Sequence, residues 1–534
     1  MTNPASTHAA AAASPVPPAR HRWAALAVCC LAAMLLGIDN SVLNYAIPSL
    51  LKDMGPSGTE ILWICDIYGF AMGGLLVVMG NLGDRLGRKR MMLLGAAAFG
   101  VVSLLTAYAP NPEALVVGRA LLGAAGAAMV PSTLSVVRHA FTDPRERTTA
   151  IGISSGIGAA SFALGPVVGG LLLDHFWWGS VFLINVPLMA VVLVAGALVL
   201  PESRNPRPGR LDWIGVPLSV VGVLGAVYAI KAGFRDGADH APVWIAAAIG
   251  ALALVLFARR QVRVEEPLID LRLFRDPAFS GAVGSNLVMI FASSTLSLAF
   301  SLYFQVVRGW SPFTAGLALL PGPLAAALVA ALATALIPRL GRARVVALGL
   351  VLLAASTAAL GRFSDPGTPY WQLLAPLVIN GMGVILVVSV TNDTILASAP
   401  KERTGAAAGV SETAMEMGGS LGIAVLGSLL GAVYHAALVL PAGLPAGAAD
   451  AARESVGGAV EAAARVPGAE GAALLAAAKT AFCHSVQVTT VVGAALLAVG
   501  AVAALYTLRG VPAAIHDPEA EEALPLPARV SSAG

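Results

Sequence analysis

The chain has 534 residues, 57% of them hydrophobic and only 12% charged, with a mean hydropathy of +0.79. That charged share is about half of what a soluble domain carries, so a water-soluble enzyme or binding module is excluded. A net charge of +3 gives no reason to expect nucleic acid as a partner, and four cysteines without metal or redox spacing point to no metal.

A helix needs about 20 apolar residues to cross the hydrocarbon layer. Residues 1–22 form an Ala/Pro/Ser-rich tail ending in Arg20, His21 and Arg22. The apolar run after it has the basic flank of a secretory leader, but it continues past Asp39 to Pro48 without a convincing cleavage site. It is read as a retained first span. Apolar runs then recur, giving 23–47, 61–80, 91–109, 114–137, 148–173, 179–200, 211–230, 242–258, 279–304, 314–337, 345–361, 371–397, 404–436 and 482–507. With the N-terminus inside, Lys and Arg favour the inner loops by about three to one, as the positive-inside rule requires. The sequence therefore predicts an all-α integral membrane protein of fourteen spans with both termini cytoplasmic.

Arg85-Leu86-Gly87-Arg88-Lys89-Arg90 follows span 2, and Arg339-Leu340-Gly341-Arg342-Ala343-Arg344 follows span 10. The repeat predicts two related halves. A copy after span 10 rather than span 8 implies two extra spans between them. The expected organisation is a tail 1–22, a six-helix bundle 23–200, a linker with two inserted spans 201–277, a second six-helix bundle 278–508 and a tail 509–534. The Ala/Gly-rich outer segment 437–481 is expected to form a short helical hairpin broken at Pro467-Gly468.

Charges inside spans mark candidate sites, because burying one in hydrocarbon costs several kcal/mol. They are Asp39 in span 1, Asp66 in span 2, Arg119 in span 4, Asp393 in span 12, and Glu412 and Glu416 in span 13. At about 1.5 Å rise per residue, Asp39 and Arg119 lie at one depth. They can neutralise each other, and a proton taken up by the acid would release the Arg. Asp66 is a further proton-coupling candidate. Glu412 and Glu416 are one turn apart and share a face, a charge pattern that attracts a cation. Asp393, Tyr68 and Phe304 are candidate substrate contacts. Trp63 and Tyr303 are equally well read as interfacial anchors. In span 5, Gly152/Gly156 and Gly165/Gly169 permit close helix approach, and Pro166, inside the second pair, bends the helix. Gly152-Ile153-Ser154-Ser155-Gly156 matches a nucleophile elbow only formally, since it lies in an apolar helix. No phosphate-binding loop is present, so no ATP and no other cofactor is expected.

Gly80-Asn81-Leu82-Gly83-Asp84-Arg85-Leu86-Gly87-Arg88-Lys89 resembles the signature between spans 2 and 3 of the major facilitator superfamily. The resemblance implies that Gly80, Asp84, Arg85, Gly87 and Arg88 form a conformational latch between the halves. Arg119 with Gly123 resembles the span 4 signature tied to proton coupling. Gly156, Gly165, Pro166, Gly169 and Gly170 resemble the antiporter signature of span 5. Gly37, Asp39, Asn44, Ala46 and Pro48 resemble the span 1 signature of the fourteen-span drug:proton antiporters. Leu62-Trp63, Asp66-Ile67-Tyr68, Phe182-Leu183-Ile184-Asn185-Val186-Pro187, Leu273-Phe274 and Glu454 to Glu461 are similar to the quaternary-ammonium efflux branch. The resemblance covers about residues 22–508 and implies a bacterial cytoplasmic-membrane exporter, acting as a monomer, that exchanges lipophilic cationic small molecules for protons. An exporter of a self-made antibiotic and a non-transporting membrane sensor remain open. In divalent-cation exporters of that branch, span 10 has an acid five residues after Leu-Leu-Pro. Here Leu319-Leu320-Pro321 leads to Ala326 and span 10 has no acid, which predicts weak export of rigid divalent cations.

Overall fold

The computed structural model describes residues 19–56, 58–141, 143–202, 212–236, 240–264, 267, 271–398, 404–441 and 443–512. The described residues are helical, with no strand among them. The first part runs α1 (Ala19–Met54), α2 (Gly58–Leu86), α3 (Arg88–Ala107), α4 (Pro112–Ala140), α5 (Pro144–His175), α6 (Ser180–Leu183) and α7 (Asn185–Val199). A middle pair follows, α8 (Gly215–Asp236) and α9 (Ala241–Arg263). The last part runs α10 (Pro277–Leu302), α11 (Pro312–Leu319), α12 (Pro321–Leu340), α13 (Arg342–Arg362), α14 (Tyr370–Ser398), α15 (Thr404–Ala437), α16 (Ala446–Glu454), α17 (Val456–Arg465) and α18 (Ala469–Thr507). Eleven helical stretches among the described residues are long and apolar enough to cross a membrane. Expected spans 2, 5 and 7 fall on α2, α5 and α8, helices of 29, 32 and 22 residues. These three carry no described stretch that is both that long and that apolar.

Helix starts follow local chemistry. Asn111 accepts from the Ala114 N–H at 2.8 Å, Asp276 from Ala278 at 2.9 Å, and Ser311 from Thr314 at 3.2 Å. In each case Pro is the next residue, where its missing N–H costs nothing. The repeated motif shows in the backbone as well. Gly87 and Gly341 both have positive φ, 105° and 78°, and each opens the helix that follows. The arginine after each is buried, Arg88 and Arg342.

One apolar core draws only on residues between Ala25 and Leu200. Two others draw on residues from Phe257 onward. Between these parts, α2 packs on α15, and α5 packs on α11 and α12. Within the first part, α1 and α5 seat in each other. A Cβ on Gly37 would overlap Ser161 Oγ, and one on Gly165 would overlap Ser41 Oγ. In the last part the Gly381 and Gly322 backbones touch, and a Cβ on Gly381 would overlap the Gly322 carbonyl. Gly381→Val must therefore force α12 and α14 apart. It is expected to lower the unfolding temperature in detergent, with a cost of about 1–3 kcal/mol.

The pair α8 and α9 is tied at its base by Asp212. This carboxylate accepts from the Gly215 N–H at 2.8 Å, Arg260 Nε at 2.7 Å and Gln261 Nε2 at 3.2 Å. Trp63 of α2 stacks on Tyr228 of α8 with ring centroids 5.8 Å apart. The expected hairpin is present as α16 and α17, packed on α18 through Ala452, Ala459, Ala462, Leu474 and Ala478. Its internal break falls at Ser455, whose side chain caps α17. Pro467-Gly468 instead separates α17 from α18. Span 10 is interrupted at Leu320, between α11 and α12.

Candidate functional site

Arg119 and Gly123 sit one turn apart on α4 and face α2. A Cβ on Gly123 would run into the Tyr68 carbonyl, so only glycine lets the two backbones come this close. The approach brings the Tyr68 ring to 4.4 Å from the Arg119 guanidinium carbon. Arg119 Nε donates to the Ile64 carbonyl at 3.2 Å, and Nη1 donates to Asp39 Oδ2 at 2.7 Å. Both side chains are fully buried. Asp39 Oδ1 accepts from Asn185 Nδ2 at 2.7 Å, and the same amide reaches Ser103 Oγ at 3.3 Å. Four helices thus converge on one carboxylate, with the Tyr68 ring of α2 beneath its partner. The expected pairing of Asp39 with Arg119 is met. Asn185 and Ser103 were not named as site residues from sequence. Asn185 belongs to the Phe182–Pro187 motif, but nothing in its spacing links it to Asp39.

On α15, Thr413 Oγ1 donates to the Gly73 carbonyl of α2 at 3.1 Å. A Cβ on Gly69 would stand 3.2 Å from Glu416 Oε2, and one on Gly73 would stand 3.4 Å from the Glu416 Cβ. Glycine on α2 thus opens room for the acid. Glu412 and Glu416 are partly exposed, and neither carboxylate is paired with a cation among the described residues. Helix α2 is a wall common to both groups. Tyr68 turns one face of it to Arg119, and the adjacent Gly69 turns another to Glu416. Beside Glu412, Ser411 belongs to a neutral buried cluster. Asn286 Nδ2 donates to Ser411 Oγ and Asn392 Oδ1 at 3.3 Å each, and Thr391 Oγ1 donates to Asn286 Oδ1 at 2.6 Å.

Three candidate substrate contacts lie elsewhere. Asp393 is held by Arg342 Nη2 at 2.6 Å, and Arg342 also binds Thr394 and the Pro512 carbonyl. Its charge is already met by a fixed partner. Tyr68 is fully buried against Arg119. Phe304 is fully buried in an aromatic cluster, stacked on Trp310 at 5.1 Å and beside Tyr370 at 6.2 Å. That cluster stands where α10 closes in a π-helical turn over Tyr303–Val307. Ala326 is buried against Ile385 of α14.

Of the gating candidates, Gly80, Gly87, Gly165 and Gly169 are buried and Arg85 is partly so. Gly156 meets Ala327 of α12, and Gly152 meets Ala330, both across the two parts. Gly165 faces α1 within its own part. The two glycine pairs of span 5 therefore serve different neighbours. The side chains of Asp66, Asp84 and Pro166 lie outside the described residues.

A family model described as Major Facilitator Superfamily matches residues 29–423. The multidrug efflux pump LfrA of Mycolicibacterium smegmatis is 42% identical over 475 residues, covering 89% of this chain and 94% of that protein. The methyl viologen resistance protein SmvA of Salmonella typhimurium is 35% identical over 474 residues, covering 88% and 95%. The tetracenomycin C resistance and export protein of Streptomyces glaucescens is 33% identical over 533 residues, covering 96% of each. Among solved structures, the human organic anion transporter MFSD10 superposes with a TM-score of 0.57 at 15% identity, covering 92% of this chain and 100% of that one. That last likeness concerns the fold alone.

Proposed function

Since the chain belongs to the Major Facilitator Superfamily, we propose that it exports lipophilic organic cations, quaternary ammonium compounds and dyes among them, in exchange for protons. The observation that carries this reading is Glu412 and Glu416 on one face of α15, against the glycines of α2 and with no cationic partner among the described residues. Two acids without a resident cation favour a cation from outside. Asp39, held by Arg119 and Asn185, is the proton site. Protonation weakens its pull on Arg119, and the Tyr68 ring beneath Arg119 passes the change to α2, the wall that Glu416 touches. Fourteen spans, both termini cytoplasmic, two six-helix bundles and the inserted pair α8 and α9 complete the proposed architecture. The loop around Gly87 and Arg88 acts as the latch.

The expected weakness toward divalent cations rests on the absence of an acid from span 10, which leaves Glu412 to balance the cation unless Glu416 or Asp393 also faces it. Glu416 stands one turn away on the same face, so two charges are available, while Asp393 is taken by Arg342. The relative named for methyl viologen resistance supports this wider range, because methyl viologen is a dication. The test is transport in proteoliposomes under an imposed pH gradient, with tetraphenylphosphonium as monocation and methyl viologen as dication. Glu416→Gln is expected to reduce methyl viologen transport about 10-fold or more and tetraphenylphosphonium transport less than 3-fold, since Glu412, the acid in direct contact with the cation, remains to balance a single charge. Failure of the unaltered protein to move either cation with the gradient overturns the reading. A dedicated antibiotic exporter is the second reading, favoured by the end-to-end similarity to the tetracenomycin C exporter. Saturable transport of a neutral polyketide with no cation transport would select it.

A further inference from the structure

Asn185 is fully buried, and its two polar ends have unequal surroundings. Nδ2 donates to Asp39 and Ser103, while Oδ1 is buried with no hydrogen-bond partner among the described residues. A buried acceptor left unmet costs free energy and calls for an explanation. The explanation lies in the chemistry of its neighbour. As a carboxylate, Asp39 only accepts, and the amide N–H suits it. Once Asp39 binds a proton, its carboxyl carries an O–H that needs an acceptor, and an N–H pointing at it is the wrong group. A half-turn of the amide about its last side-chain bond brings Oδ1 round to accept that O–H. The turn gives up the Nδ2 contact with Ser103 Oγ, and Arg119 keeps its charge.

The geometry points to Asn185 as a positioning residue that serves Asp39 in both of its protonation states, one face of the amide for each. The inference rests on the reading of Asp39 as the proton site. Among the described residues, the charged and titratable groups around Asp39 are Arg119 on α4 and Tyr68 on α2, with Glu416 of α15 beyond the α2 backbone. Helix α3 presents Ser103, α5 presents Ser161 and Gly165, and α6 consists of Ser180, Val181, Phe182 and Leu183, none of them charged.

The experiment measures the pH midpoint of gradient-driven tetraphenylphosphonium transport in proteoliposomes. A hydrogen bond to a charge is about twice as strong as a neutral one. Asn185→Leu, which removes both faces, should thus move the midpoint about one pH unit upward. Asn185→Asp removes the N–H and adds a second carboxylate, so its midpoint should lie higher still. Asn185→Gln keeps the amide and should stay near the wild-type midpoint even if its rate falls. A Leu variant with an unmoved midpoint, or a Gln variant displaced as far as Leu, overturns the inference. Should the Leu variant not fold, an Asp variant with an unmoved midpoint overturns it equally. The acceptor face is read separately by pH-difference infrared spectroscopy. The carboxyl band lost in Asp39→Asn should rise together with an amide carbonyl band lost in Asn185→Leu. A carboxyl band without that amide companion overturns the flip. If Asp39→Asn instead keeps the wild-type pH profile, it is the assignment of the proton site that fails, whatever Asn185 does.

Discussion

Asp39→Asn is expected to abolish uphill, gradient-driven export, lowering it at least 100-fold, while the protein still folds. The substituted amide has the same outline. Its carbonyl can still accept from Arg119 Nη1, and the Tyr68 ring still faces the guanidinium. What it cannot do is gain and lose a proton, so the Arg119 contact no longer varies with pH. Arg119→Ala should lose coupling as well, with a larger folding penalty. It leaves the Asp39 charge buried with only the Asn185 amide to meet it, and breaking a buried pair costs about 3–5 kcal/mol. The measurements are uptake in proteoliposomes under an imposed gradient and thermal unfolding of the purified variants. Wild-type uphill transport by Asp39→Asn would falsify the assignment.

Glu412→Gln is expected to weaken binding of cationic drugs by about 10- to 100-fold, the size of one lost charged contact in a poorly solvated cavity. Neutral drugs of similar size should change less than 3-fold, because they meet only the shape of the cavity. Binding to the purified protein in detergent separates the two classes. Equal losses for both would assign Glu412 to packing or coupling instead.

The sequence was most informative where one helix or one turn decided the outcome. Asp39 and Arg119 were matched by counting residues from span ends, because helical rise converts position into depth. Gly87 and Gly341 could be read because a motif repeated with its glycine in place implies the same turn twice. Residue type failed where the partner sits on a third helix. Nothing near Asp393 in sequence indicates that Arg342, 51 residues away, holds it. Tyr68 and Phe304 show the same limit. An aromatic ring in a span suits a cation site, a packed core and an interface alike, and only the helix rotation decides. Here Gly123 sets that rotation for Tyr68, and the rings of Trp310 and Tyr370 enclose Phe304. Asn185 was missed because its role depends on α7 starting where α1 and α3 converge.

The reciprocal seating of α1 and α5 has a mechanical meaning. Each helix drops a serine into the other's glycine, Ser161 at Gly37 and Ser41 at Gly165. Two such studs, one on either side of Asp39 along α1, leave the rods no freedom to slide or roll separately. On its other side α5 shows Gly152 and Gly156 to Ala327 and Ala330, a bearing of small groups with nothing to catch. Slip is therefore confined to the bearing and denied to the studs. Under the exchange proposed above, any movement between the two parts would carry α1 with α5 as one strut, and Asp39 would move together with Arg119 and Asn185, which belong to the same part.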